Sequence, residues 1–280
     1  MSAVKWLPAP DGSRDPRIED PTNLYIVHLS GRALLPLALR LHIPANLVSL
    51  SGLALGAGGA AAFYGWRDWR LACLGLLLCT CWMIADGLDG MIARASRTTS
   101  AFGRFLDGVC DHLVFVLLYC ALAASLETAS AWTLAFAAGA AHALQATLYE
   151  GERTRFHRRL KGSRTAAAPS PAPANPFVRV YDAVAGSFDK AGQALEDRMH
   201  NPADGAGIKA AYLRRAIPPL RLMALLTNNM RVLMIFAACL IGRPALFWWA
   251  EVTVSTAILV LGLVWLRSAE RIGLEADGRT

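Results

Sequence analysis

The sequence predicts an all-α fold: a polytopic membrane helix bundle with six transmembrane helices and an N-terminal amphipathic interfacial helix. Three observations lead there. Hydrophobic residues make up 55% of the 280-residue chain. Only 18% of residues are charged, against roughly 25% in an average soluble domain. The mean hydropathy is +0.36, and the apolar residues gather into runs near the ~20 residues that a spanning helix needs.

The elements follow in chain order. The first twenty residues are polar, with Asp11, Arg14, Asp15, Arg17, Glu19 and Asp20. They lack the charged-then-apolar pattern and small-residue cleavage site of a signal peptide, so the first span is expected to direct insertion. Residues 24–41 are apolar over much of their surface but broken by Gly31 and Pro36 and flanked by Arg32 and Arg40. They read as an arm lying along the membrane. The six expected spans are 46–64, 71–95, 103–126, 131–149, 230–247 and 248–266. Only "GRPALFWWAE" separates the last two, and Arg243, Pro244 and Glu251 place a turn there.

Between spans four and five, "TAAAPSPAPANP" is a Pro/Ala linker with no pattern that could pack. Phe177, Val180, Tyr181, Val184, Phe188 and Leu195 then recur at near-helical spacing, as either an amphipathic surface helix or a solvated linker helix. The chain thus divides into an N-terminus and arm (1–45), spans one to four (46–152), a linker segment (153–229), and spans five and six with a tail (230–280).

Charge sets orientation and partners. The formal net charge is +7. With long apolar runs present, an anionic lipid surface is the expected partner, and nucleic acid is not. Arg94, Arg97 and Arg104 lie between spans two and three, and "GERTRFHRRLKGSR" follows span four. Both termini and the second link are therefore expected in the cytoplasm, most simply at a bacterial inner membrane. The six cysteines lie in or beside apolar runs without CxxC spacing and read as small buried hydrophobes. Gly52 and Gly56 have the small-xxx-small spacing of close helix contact. That spacing reads first as packing inside one chain and second as a dimer seam; a homodimer is the expected assembly.

The chemistry concentrates in "DGLDGMIARASRTTSAFGRFLDGVCD", residues 86–111. At about 100° per residue, Asp86, Asp89, Gly90, Ala93 and Arg94 share one helix face, while Gly103, Asp107 and Asp111 form a narrow stripe. The short polar link makes the two helices antiparallel neighbours. Four carboxylates then face one another at the bilayer edge, where they repel unless protons or a cation sit among them. An all-oxygen donor set suits Mg²⁺ or Mn²⁺, ions that commonly also hold phosphates. Arg94 can pair with a phosphate oxygen, and Gly90, Ala93 and Gly103 are small enough for a ligand to approach the backbone.

These positions also form D-x2-D-G-x2-A-R-x8-G-x3-D-x3-D, which resembles the signature of the CDP-alcohol phosphatidyltransferases at all eight fixed positions: Asp86, Asp89, Gly90, Ala93, Arg94, Gly103, Asp107 and Asp111. Upstream, "PANLVSLSG" is similar to the family's "TPNxxTxxG", with one extra residue between Pro44 and Asn46 and Ser49 in place of threonine. The resemblance implies transfer of a phosphatidyl group from CDP-diacylglycerol to an alcohol acceptor, with release of CMP, in phospholipid biosynthesis. It implies that Asp86, Asp89 and Asp107 hold Mg²⁺ or Mn²⁺, with Asp111 on or near a second ion and acting as general base. Gly90 and Arg94 would contact the CDP moiety, with Ser100, Asn46 and Ser49 lining the same pocket. A CDP-linked small alcohol as donor stays open, as does the identity of the acceptor, for which His142, Gln145, Glu150, Arg153 and Arg155 are candidate contacts. The competing classes are a polyprenyl transferase and a divalent-cation transporter. The first should show more spans and different aspartate spacing, the second internal repeats.

Overall fold

The structure is a computed structural model that describes residues 8, 14–162, 192, 195–201 and 205–275. Among the described residues every regular element is helical and no strand occurs. A π-helical turn, Asn23–Val27, leads into α1 (His28–Arg40), followed by α2 (Ala45–Tyr64), α3 (Trp69–Ala95), α4 (Ala101–Leu126) and α5 (Ala129–Lys161). Then come α6 (Gly205–Met223), α7 (Asn228–Leu240), α8 (Ala245–Ala250), a second π-helical turn (Glu251–Ser255) and α9 (Thr256–Glu275). The Pro/Ala linker and most of the expected helix over 177–195 lie outside the described residues.

Among the described residues four helices are long and apolar enough to cross a membrane: Ala45–Tyr64, Trp69–Ala95, Ala101–Leu126 and Ala245–Arg271. A fifth is reached if Gly205–Leu226 and Asn228–Leu240 are taken together as one broken span. The six expected from sequence depend on two weaker segments. α5 is helical throughout the expected fourth span, but His142 and Gln145 dilute its apolar run. The expected fifth span, 230–247, is not one helix. α7 ends at Leu240, and its 13 residues reach only ~20 Å at 1.5 Å each. Gly242, at φ 76°, closes it, with Gly242 N–H bonded to Cys239 O and Arg243 N–H to Ala238 O, both at 2.9 Å. This is the left-handed glycine stop of a Schellman motif, and Pro244 follows it.

The chain forms two compact units, 1–139 with 228–251, and 140–227 with 252–280. In the first, α2 lies against α3 and α4, α1 against α3, and α3 against α7. Small residues bring these helices close. A Cβ built on Gly56 would stand 2.4 Å from Val114 Cγ2, one on Gly59 2.6 Å from Cys79 Sγ, and one on Gly75 2.9 Å from the Phe63 ring. Gly52 faces Trp82 and Ala85. The Gly52/Gly56 stripe is thus used inside one chain, and a homodimer would need another face.

Local stops and starts fix the helix ends. α1 closes on His42 at φ 52°, with Ile43 N–H bonded to Ala38 O at 3.0 Å. Ile43 then packs with the cluster Ala38, Val48, Ala85, Leu88 and Ile92, which seats α1 on α2 and α3. Asp68 caps α3 by accepting from Arg70 N–H at 2.9 Å, and Ser100 caps α4 by accepting from Gly103 N–H at 2.9 Å.

Ahead of the first π-turn, the polar N-terminus is folded in rather than solvated. Asp15, Glu19, Asp20 and Asn23 are all buried. Arg17 pairs with Asp15 at 2.6 Å, and Asn23 Nδ2 donates to Glu19 at 2.6 Å.

In the second unit α6 packs on α9, and a buried ion network joins the end of α5 to α9. Arg159 pairs with Glu270 at 2.5 Å and with Glu196 at 3.2 Å. Arg267 pairs with Glu270 at 2.8 Å and also with Glu152, and Arg155 pairs with Glu152 at 3.1 Å. The Arg159 guanidinium also lies 4.9 Å from the Tyr212 ring centroid.

Two outcomes are expected. Gly56→Ala should cost about 1–3 kcal/mol of stability through overpacking, and Val114→Ala should recover part of it; unchanged thermal unfolding in detergent would contradict the close approach. Glu270→Gln leaves Arg159 and Arg267 undercompensated and should destabilise by about 3–5 kcal/mol, read in the same assay; a neutral effect would contradict a buried network.

Candidate active site

The paired register of α3 and α4 builds the site. On α3, Trp82, Asp86 and Gly90 are spaced by four, and on α4 so are Gly103, Asp107, Asp111 and Phe115. Residues four apart share a helix face, so two antiparallel stripes can meet rung by rung. They do. Asp86 interacts with Asp111, Asp107 and Asp89, and its carboxyl reaches hydrogen-bonding contact with Asp111. Asp107 makes the same kind of contact with Asp86 and Asp89. Asp89 is buried, and the other three are half-buried.

The neighbouring residues complete an oxygen-rich patch. Ser49 on α2 places its hydroxyl on Asp89 Oδ2, with Ala45 O at 3.2 Å as the alternative acceptor. A Cβ on Gly90 would lie 3.1 Å from Arg94 Nη1, so the exposed Arg94 guanidinium folds over that glycine. A Cβ on Gly103 would lie 3.1 Å from Ser100 Oγ and 3.5 Å from Asn46 Oδ1. Asn46, Ser100 and Gly103, drawn from α2 and from the start of α4, therefore meet in one place. Ala93 is half-buried, and its carbonyl accepts from Thr98 N–H at 2.9 Å. Together with Arg97 at φ 56°, this turns the chain out of α3 beside the site.

All of the expected site residues thus fall at one end of the α2–α3–α4 group. Sequence reasoning passed over Trp82, which is buried one turn from Asp86 on α3; its spacing from Asp86 was the available signal. The candidate acceptor contacts behave differently. Gln145 Nε2 donates to Thr256 Oγ1 at 3.0 Å, Arg153 pairs with Glu150 at 3.0 Å and Arg155 with Glu152. These side chains already bind one another or a neighbouring helix. His142 is buried.

The fit of a divalent cation rests on this donor set. Among the described residues no group of three or more His, Cys, Asp or Glu side chains stands spread in a metal-holding arrangement; the four carboxyls lean on one another instead. Yet they converge from two helices, bring only oxygen, and concentrate negative charge that a hard dication would neutralise. The chemistry of this donor set therefore suits a hard dication, although the carboxyls are not arranged around one.

Residues 41–173 match the family model for CDP-alcohol phosphatidyltransferase, a stretch that takes in α2 to α5 and all eight signature positions. No curated protein matches the chain. The family transfers substituted phosphate groups from CDP-alcohols and is generally dependent on divalent metal. Several helices apolar enough to span a membrane, with the aspartates gathered at one end of them, accompany that match over residues 41–173.

Proposed function

We propose that the chain transfers a phosphatidyl group from CDP-diacylglycerol to an alcohol, releasing CMP, as a step of phospholipid biosynthesis. The observation that carries this reading is the meeting of Asp86, Asp89, Asp107 and Asp111 from two adjacent apolar helices. A diphosphate needs concentrated positive charge before it can be split, and a diacyl donor needs a site that its tails can reach from lipid. Carboxylates at the end of apolar helices provide for both.

Asp86, Asp89, Asp107 and Asp111 would hold Mg²⁺ or Mn²⁺, which supplies neutralisation of phosphoryl charge when bound. The chain's own residues do the rest. Arg94, folded over Gly90, pairs with a phosphate oxygen of the donor, and the missing Cβ at Gly90 leaves room for the nucleotide. Asn46, Ser100 and Gly103 border the same end and offer a hydroxyl and an amide to the CDP group. Asp111 accepts the proton of the acceptor hydroxyl as its oxygen bonds to the lipid-bearing phosphorus. The bond from that phosphorus to the CMP oxygen breaks, and CMP leaves.

Several finer points belong to the same proposal. The arginines around the site, Arg94 and Arg97, and the basic run after residue 150 favour a cytoplasmic active site and an inner-membrane location. α1, with Tyr25, Leu29, Leu37 and Leu41 exposed around its length, suits an interfacial arm. An even number of spans, as in the six-span reading, puts both termini on that side.

Asp111→Asn should lower CMP release about 10²- to 10⁴-fold with the thermal unfolding temperature kept; turnover within threefold of wild type would contradict the base assignment. Chelation should abolish activity, and added Mg²⁺ or Mn²⁺ should restore it. Arg94→Ala should raise the KM for CDP-diacylglycerol tenfold or more, the scale of a lost hydrogen bond to a charged group, with a smaller effect on kcat. An unchanged donor KM would count against it. Mass spectrometry of lipids formed in a host lacking its own enzymes should show a new phosphatidyl lipid; a product carrying a CDP-derived small alcohol instead would overturn the donor.

A further inference from the structure

In the second unit Arg155, Arg158, Arg159 and Arg267 are paired with glutamates. α6 is different. It carries Lys209, Arg214, Arg215 and Arg221 and no Asp or Glu. The three arginines are exposed, and none of their guanidinium groups has an ion pair or hydrogen bond among the described residues. Arg214, Pro218 and Arg221 are spaced by four and three, so they share a face, and Arg215 borders it. Tyr212, Ala216, Leu220 and Met223 take the other side and are buried, where α6 packs on α9.

That packing sets the depth of the exposed face. Met223 lies against Gly262, where no Cβ would fit. Toward the other end, the Arg159 guanidinium lies 4.9 Å from the Tyr212 ring centroid and pairs with Glu270 at 2.5 Å. α6 therefore runs antiparallel to α9, with Met223 level with Gly262 and Tyr212 close to the level of Glu270. On α9 the exposed residues Val260, Leu261, Val264 and Trp265 are apolar and belong to a candidate span. Arg267, Glu270 and Arg271 follow. The hydrocarbon thus ends near Trp265, a residue type enriched at membrane interfaces. In this register Leu220 stands level with Trp265, which puts Arg221 at the hydrocarbon edge, where its long side chain can reach outward. Arg214 and Arg215 lie about 8 Å further out at 1.5 Å per residue, a depth occupied by lipid headgroups. Pro218 and Pro219 agree with that depth. They lack an N–H, so the carbonyls of Arg214 and Arg215 lose the helical donor four residues on. Headgroup water can bond those oxygens and hydrocarbon cannot.

We propose that this face of α6 is a docking strip for anionic phospholipids, with Arg214 and Arg215 holding headgroup phosphates and Arg221 reaching into the same layer. Charge complementarity selects the occupant: three uncompensated guanidinium groups at headgroup depth favour an anionic lipid by about fivefold in affinity each. Leu225, exposed on the hydrocarbon side of the strip, offers the acyl chains an apolar surface that a soluble anion would not use. The strip does not depend on the transfer reading.

The test uses the full chain in detergent micelles doped with lipid, read by native mass spectrometry. Binding of phosphatidylglycerol is compared with that of phosphatidylcholine of the same acyl chains. Wild type should prefer phosphatidylglycerol. Arg214→Gln combined with Arg215→Gln should weaken phosphatidylglycerol binding tenfold or more, at about fivefold per arginine. Phosphatidylcholine binding and the melting curve should stay as in wild type. No preference in wild type, or an unchanged affinity in the double variant, overturns the strip. So does an equal loss in Arg70→Gln combined with Arg243→Gln, exposed residues outside this unit, because net charge alone would then account for it. Displacement of the lipid by excess inorganic phosphate at constant ionic strength would assign the arginines to a soluble anion and also overturns the strip. CMP release is not the readout, so failure here leaves the transfer reading standing.

Discussion

Four acid groups crowded between two apolar helices are the constraint on which the rest of the molecule depends. At an effective dielectric of about 20, two unit charges 4 Å apart repel by about 4 kcal/mol. A cluster of four cannot keep its charge there without compensation. The fold holds them together all the same, by the antiparallel register of α3 and α4 that sets Asp86 against Asp111 and Asp107. Under the proposed function, a dication and a diphosphate would offset that repulsion on binding.

The register is a packing result. Gly56 takes Val114 without a side chain between them, and Gly59 and Gly75 admit Cys79 and Phe63 in the same way. α2 thereby acts as the gauge that fixes how far α3 and α4 slide past each other. A shift of one residue would rotate an aspartate about 100° off its face. The same helix supplies Ser49 to Asp89 and Asn46 to the Gly103 end, so the element that sets the geometry also lines the site.

Much of the site could be read from the chain because helical spacing is local. Residues three and four apart share a face whatever surrounds them, so the aspartate stripes, Gly90 and Arg94 were legible in residues 86–111. Ser49, Ser100 and Asn46 came through resemblance as pocket residues, and their contacts with Asp89 and Gly103 need tertiary packing. Trp82 was hidden for a different reason: a tryptophan in an apolar run reads as packing until its place one turn from the acid stripe is known. The polar N-terminus misled in the opposite direction. Asp15, Glu19 and Asp20 look solvated in sequence but are buried: Arg17 pairs with Asp15, Arg14 and Asn23 hold Glu19, and the Asn23 backbone N–H bonds one oxygen of Asp20. Likewise the basic run after 152 reads as cytoplasmic charge excess, while Arg155, Arg158 and Arg159 are paired with glutamates that lie far along the chain or one turn away. The apolar run from 230 to 247 hid the stop at Gly242, since a single left-handed residue leaves hydropathy unchanged.

The claim that these acids exist to hold a cation is tested most directly by Mn²⁺ uptake, followed by electron paramagnetic resonance on the purified full-length protein in nanodiscs. The account predicts that wild-type protein quenches the free Mn²⁺ signal with saturable stoichiometry, and that Asp86→Asn combined with Asp107→Asn, folded by its melting curve, loses that uptake. Equal uptake by both proteins, or none by either with CDP-diacylglycerol present, would contradict it.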